Sequence, residues 1–207
     1  MSTTQLTLDE PRSSLGTPVW ELARLYPVQG EWTEAEYLAL QTNQLIEFTH
    51  GVLEFLEVPN RKHQRIVGYL YRHLFLYNEQ RSLGEVQAAP LPIRVSPETL
   101  REPDVLFLAQ SRLLEDETIP PDGADLAMEV VSPGPESRER DLVKKRHDYA
   151  LAGISEYWII DPDRETITVL ALEDDQYQMI GEYRNGQKAT SQLLPGFEID
   201  VSGALSA

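Results

Sequence analysis

The chain has 207 residues, 41% of them hydrophobic and 25% charged, about one domain of ordinary globular sequence and too apolar to stay unfolded. It has no cysteine, which excludes disulfides, thiolate nucleophiles and zinc fingers and leaves Asp, Glu and His as the metal ligands. The net charge of −16 repels nucleic acid at long range, so any phosphate-binding surface has to be local.

The first twenty residues lack the basic start and apolar core of a secretion signal. No stretch reaches the ~18 apolar residues of a membrane helix, and a soluble, cytoplasmic protein without a membrane partner is expected. Residues 1–18 are polar, with Pro11, Gly16 and Pro18, and predict a flexible arm ahead of a single domain over 19–207. Thr33-Glu-Ala-Glu36 fits a capping box and starts a short helix. Residues 45–48 and 52–58 are apolar runs on either side of Thr49-His50-Gly51, which predicts a β-hairpin or a strand corner. Asn60 caps the next helix, expected to run to about Asn78 with Ile66, Leu70, His73 and Tyr77 as its apolar stripe. After Gly84 the runs at 86–95, 104–109 and 126–131 read as strands, and a helix from about Ser137 ends at Gly153. Residues 156–160 form a strand followed by the turn Asp161-Pro162-Asp163-Arg164. Residues 166–172, 177–184 and 189–194 then predict a closing meander. The expected architecture is α+β or α/β-like, a central mixed sheet flanked by helices, with an extra N-terminal helix and hairpin.

Two segments interrupt the acidity. Residues 61–73 carry four Lys/Arg and no acid, and residues 138–147 carry five Lys/Arg against two acids. They are either solvated helix faces or the walls of a phosphate-facing groove.

No glycine-rich phosphate loop follows a strand and no Gly-x-Ser-x-Gly is present, which argues against nucleotide-loop enzymes and α/β-hydrolases. The chemistry instead points to carboxylates inside apolar strands. Glu129 shares its strand face with Ala127 and Val131, and Asp104 with Leu106 and Leu108. A carboxylate among such neighbours must be protonated, paired or bound to a cation, unless it sits at a strand end and reaches solvent. On adjacent strands the two could share one Mg²⁺. On the helix after Glu129, Lys145 lines up with Leu142, Tyr149 and Ala152 and so faces inward. It either joins the carboxylates or pairs with Asp141 one turn earlier at the surface.

In order and spacing, several short motifs act together: Glu-Pro-Asp-Val at 102–105, Glu-Val-Val-Ser-Pro at 129–133, Arg-Asp-x₃-Lys at 140–145, Tyr149, Gly153-Ile154 and Glu156-Tyr157-Trp158-x₂-Asp161-Pro162. With Glu36-Tyr37-Leu38, Glu47, His50-Gly51, His63-Gln64 and Leu194-Pro195-Gly196, the series over roughly residues 30–200 resembles the Uma2 family, restriction-endonuclease-like proteins of the PD-(D/E)XK nuclease superfamily that are abundant in cyanobacteria. The resemblance implies a restriction-endonuclease-like core and a metal-dependent endonuclease acting on nucleic acid, DNA first. Pro103-Asp104 matches the Pro-Asp element and Glu129 the acidic residue of (D/E)-x-K. Val131 stands where the in-strand lysine is expected, which shifts that role to Lys145 on the next helix. Asp104 and Glu129, with Glu47, would then hold Mg²⁺ or Mn²⁺. His63 is a secondary candidate, and Arg61, Arg65, Arg140 and Lys144 would contact backbone phosphates. A homodimer through the C-terminal strands follows from family analogy alone. Two other readings stay open: an inactive nuclease-fold module that binds nucleic acid or protein, and a metal-dependent hydrolase of a small phosphorylated compound.

Overall fold

In the computed structural model, residues 25–42 and 44–207 are described; the arm expected over 1–18 lies outside them. Helix α1 (Glu34–Leu38) opens with the expected capping box, Thr33 Oγ1 accepting from Glu36 N while Glu36 Oε2 accepts from Thr33 N. It buries Tyr37 against the hairpin of β1 (Ile46–Thr49) and β2 (Val52–Phe55). His50 and Gly51 both have positive φ, 45° and 79°, the two-residue turn whose twist matches a hairpin. A Cβ at Gly51 would lie 2.6 Å from the Gly30 carbonyl oxygen, so only glycine fits there.

Helix α2 (Arg61–Glu79) is capped by Asn60, which accepts from His63 N at 3.0 Å. Its buried stripe is His63, Ile66, Val67, Leu70, Leu74 and Asn78. The helix is therefore rotated slightly from the expected stripe: His73 and Tyr77 are half-buried, and Asn78 turns inward to hold the following loop through Gly84 O and Leu83 N. The run at 86–95 is two strands, β3 (Gly84–Ala88) and β4 (Ile93–Ser96), in different sheets. Pro90 and Pro92 between them lack the N–H a continuous strand would need. β5 (Thr99–Arg101), β6 (Val105–Ala109) and β7 (Leu126–Val130) follow.

The helix expected from Ser137 begins as α3 (Pro135–Glu139), widens into a π turn over Arg140–Lys144 and continues as α4 (Lys145–Leu151). Next come β8 (Glu156–Asp161), β9 (Thr166–Glu173) and β10 (Gln176–Arg184). The meander then departs from expectation. β11 (Lys188–Thr190) pairs with β12 (Glu198–Asp200) as a separate ribbon, and the chain ends in α5 (Val201–Ser206).

A six-stranded sheet in the order β10-β9-β8-β7-β6-β3 forms the centre, with β7 and β8 parallel and the other neighbours antiparallel. The α+β class with a central mixed sheet is thus present. One face carries Val105, Phe107, Met128, Val130, Trp158 and Ile160 and packs on α2, the β11–β12 ribbon and α5. The other carries Leu106, Leu108, Ala127, Tyr157 and Ile159 and packs on β4 and Tyr149 of α4. Burial on both faces explains why these strands read as nearly continuous apolar runs. A four-stranded sheet, β2-β1-β5-β4, leans over this second face. Among the described residues no helix is long and apolar enough to cross a membrane.

Candidate active site

The site is built where the two sheets and the α3–α4 helix meet. Strand alternation sends Glu129 to the face shared by Ala127 and Tyr157. Asp104 sits just before β6, on the strand next to β7, and its Oδ2 accepts from Val130 N at 2.8 Å. The helix that follows β7 folds back over the same face, so Lys145 arrives above Glu129. The hairpin comes from the opposite side: Glu47 and Glu54 are cross-strand partners and so project together.

These groups meet in one buried cluster. Lys145 Nζ lies 2.8 Å from Glu129 Oε1 and 3.0 Å from Glu47 Oε1. Tyr149 donates its hydroxyl to the same Glu129 oxygen at 2.5 Å. Glu47 is 0% exposed, Lys145 2% and Glu129 3%. The inward orientation expected for Lys145 therefore holds, and its partners are Glu129 and Glu47, not Asp141 at the surface. Asp141 is itself buried, accepting from Ser132 N and paired with Arg140.

His63 sits 3.4 Å from Asp104 Oδ2 and 3.1 Å from the Val130 carbonyl oxygen through Nε2. A carbonyl can only accept, so Nε2 carries the proton, and the buried Nδ1 has no partner. Arg140 is buried in the wall of the cavity between Asp141 and Glu54. The structure does not bring the other basic candidates into this cavity. Arg61, Arg65 and Lys144 are solvent-exposed and absent from its lining.

Two residues of the cluster were not among the expected site residues, although Glu102 opens the Glu-Pro-Asp-Val motif. Arg101 is buried and binds Thr49 Oγ1 at 2.9 Å, Asp148 Oδ2 at 2.9 Å through Nε and Glu47 Oε2 at 3.4 Å. Glu102 is held by Tyr37 at 3.3 Å and has one buried carboxylate oxygen without a partner. Both lie beside Pro103-Asp104, yet nothing in their spacing says that the strand end is enclosed by a second sheet.

Burial dominates the electrostatics. It raises the Glu129 carboxyl above the ordinary range, with the Lys145 charge opposing and Asp104 and Asp141 adding to the rise. Burial and the Glu47 charge push Glu102 up to about 7. Burial works against the Lys145 ammonium, but Glu129, Glu47 and Asp141 outweigh it and raise its pKa. For His63 burial is likewise overcome, by Asp104 and the Val130 carbonyl, and the imidazole is raised.

Hard oxygen donors therefore crowd around a cavity of about 30 Å³ lined by His63, Glu102, Asp104, Glu129, Asp141 and Lys145. That is room for a water or a small ion and far too little for a nucleotide. The excess of carboxylates and the orphaned Glu102 oxygen fit a divalent cation such as Mg²⁺ or Mn²⁺. As the side chains stand, no group of three or more acids or histidines converges on a cation position among the described residues, and Lys145 lies between Glu47 and Glu129. A roomier groove of about 350 Å³, between Gln87, Leu91, Arg112 and Ile119, contains none of these groups.

Residues 34–202 match the model of the Uma2 family, whose description is "Putative restriction endonuclease". A crystal structure described as "a putative nuclease belonging to DUF820 from Anabaena variabilis" shares the fold, with a TM-score of 0.68 and 16% identity over 87% of this chain and 98% of that one. No curated protein matches the chain.

Proposed function

The chain belongs to the Uma2 family, and on that premise we propose that it hydrolyses phosphodiester bonds in DNA as a divalent-metal-dependent endonuclease. The observation that carries the reading is the meeting of Asp104, Glu129, Lys145 and Glu47, from four separate elements, in one buried polar cluster. A packed core gains nothing from such a cluster, since replacing buried ion pairs by apolar groups is often stabilising.

Asp104 and Glu129, with Glu47, would hold Mg²⁺ or Mn²⁺, which when bound supplies a water of lowered pKa and polarises the phosphate. The chain's own groups do the positioning. Tyr149 and Lys145 both donate to Glu129 Oε1, which locks the carboxylate's rotamer. His63 donates to the Val130 carbonyl beside Asp104 and holds the end of β7 against α2. The Lys145 ammonium, with three N–H donors, orients the attacking water and offsets charge developing on the phosphate. Arg140 meets phosphate at the cavity wall, whereas exposed Arg61, Arg65 and Lys144 contact backbone phosphates farther along the duplex, positioning it without reading bases. These local cations offset a body charge of −16, so binding weakens steeply with salt.

The test is nicking of supercoiled plasmid at low salt, with Mn²⁺ against EDTA, comparing wild type with Glu129→Ala, Asp104→Ala and Lys145→Ala. Metal-dependent nicking reduced at least ~100-fold in each folded variant supports the assignment. A variant that nicks as wild type does removes its residue from the site. No nicking by the folded wild-type chain transfers the reading to a nuclease-fold module that binds nucleic acid.

A further inference from the structure

We propose that Lys145 is the resident counter-cation of this site and competes with the divalent ion for Glu47 and Glu129, so that loading the ion displaces the ammonium and turns it toward the incoming phosphate. The inference rests on the metal-dependent reading above and adds an order of assembly to it.

Three observations carry it. Lys145 Nζ is bound to Glu47 and Glu129 through Oε1 of each, at 3.0 and 2.8 Å, and thereby bridges the hairpin to the central sheet. An ion held by both carboxylates, through whichever of their oxygens, would sit within a few ångströms of this ammonium, and a dipositive ion and an ammonium repel strongly at such range. Second, Glu47 has no uncommitted cation to take the ammonium's place. Glu47 is fully buried and its other cationic partner, Arg101, is already committed to Asp148 and Thr49. Third, the displaced ammonium has a place to go. Asp141 lines the same cavity and lies four residues earlier on the helix, and its charge already acts on Lys145. The four-carbon stem of lysine lets the head group swing while the backbone stays put.

The consequence is coupling. Before the ion binds, Lys145 closes the site on itself and the acids are neutralised internally. After it binds, the ammonium is released on the cavity side, where a phosphate would arrive. The lysine becomes available only when the ion is in place.

The experiment uses the full chain without nucleic acid. Mn²⁺ is titrated calorimetrically into wild type, Lys145→Met and, as a control for net charge, Lys62→Met, an exposed position outside the cavity. Lys145→Met should bind Mn²⁺ on the order of tenfold more tightly than wild type, and Lys62→Met should match wild type. In parallel, acetic anhydride labelling read by mass spectrometry should find the wild-type Lys145 amine protected in EDTA and reactive in saturating Mn²⁺. Equal or weaker Mn²⁺ binding by folded Lys145→Met overturns the competition. So does a wild-type Lys145 that stays protected with Mn²⁺ bound, a readout that holds even if the methionine variant does not fold. In either case bound Mn²⁺ leaves the metal-dependent reading standing. No Mn²⁺ binding by wild type or by Lys145→Met at millimolar ion overturns both.

Discussion

Two glutamates, Glu129 on β7 and Glu156 on β8, are buried in neighbouring parallel strands of the same sheet, and their surroundings could hardly differ more. Glu156 is at the start of β8 on the Trp158 face, and neutral donors take up both of its oxygens. Trp158 Nε1 and Ser191 Oγ donate to Oε1 at 2.6 and 2.7 Å, and the backbone N–H groups of Gln192 and Leu193 donate to Oε2 at 2.7 and 2.9 Å. It clamps the loop between β11 and β12 to the sheet. Glu129 is near the end of β7 on the other face, with both of its donors, Lys145 and Tyr149, on Oε1 and a wall of other acids nearby. A buried carboxylate whose lone pairs are filled by fixed neutral donors is a structural tie. One that shares a movable cation with a second acid can exchange that cation for another ligand.

The largest effect expected from breaking this contrast is at Glu156. Glu156→Ala strands an indole N–H and two backbone N–H groups in the interior, and should cost about 3–4 kcal/mol. The urea midpoint of the variant measures it, and the folded fraction should still nick plasmid as wild type does. Asp161 is an intermediate case, a buried acid with a cation at a turn. Burial would raise it, but Arg138 and the backbone N–H groups of Arg164 and Asp163 prevail and hold it below the usual carboxylate range. Its contribution is therefore complete above the unfolded carboxyl pKa of ~3.9 and is lost as pH falls through the lowered native value. Asp161→Asn should cost about 1–2 kcal/mol at pH 7. The gap from wild type, followed by urea denaturation, should close progressively below about pH 4. The smallest change in stability is expected at Glu129 itself. Glu129→Gln keeps an acceptor for Lys145 and Tyr149 and leaves Lys145 paired with Glu47, so a urea midpoint shift worth under ~1 kcal/mol should accompany the loss of nicking. A larger shift would mark Glu129 as a tie of the Glu156 kind.

The contrast also shows how far sequence patterns reach. Glu129 interrupts an apolar strand and Glu156 opens one, and periodicity names the partners of neither. The inward orientation of Lys145 was legible, because Leu142, Tyr149 and Ala152 share its face and helical geometry decides the rest. The same held for the Thr33 and Asn60 caps, the hairpin turn at His50-Gly51 and the Asp161 turn, each set by a side chain acting within a few residues. The roles of Arg101 and Glu102 were not legible. Their burial comes from β1 and α1, more than fifty residues earlier, closing over the end of β5. The split of 86–95 was half-visible: the prolines were in plain sight, but their effect, moving β4 to another sheet, depends on which strand offers an edge.

What the sequence alone determined is therefore the local and the periodic: element types, caps and turns, the two faces of β6 and β7, the acidity of the chain and the order of its family motifs. Only the tertiary structure decided which of the buried acids share a cation. That depends on two sheets and a helix meeting at the end of β7, and on a π turn that buries Arg140 and Asp141 along with Lys145. Local rules act over a turn or two of chain, whereas the energy of a buried charge is set by whatever lies within a few ångströms, and those neighbours come from Glu47, Asp104 and Glu129, dozens of residues apart in sequence.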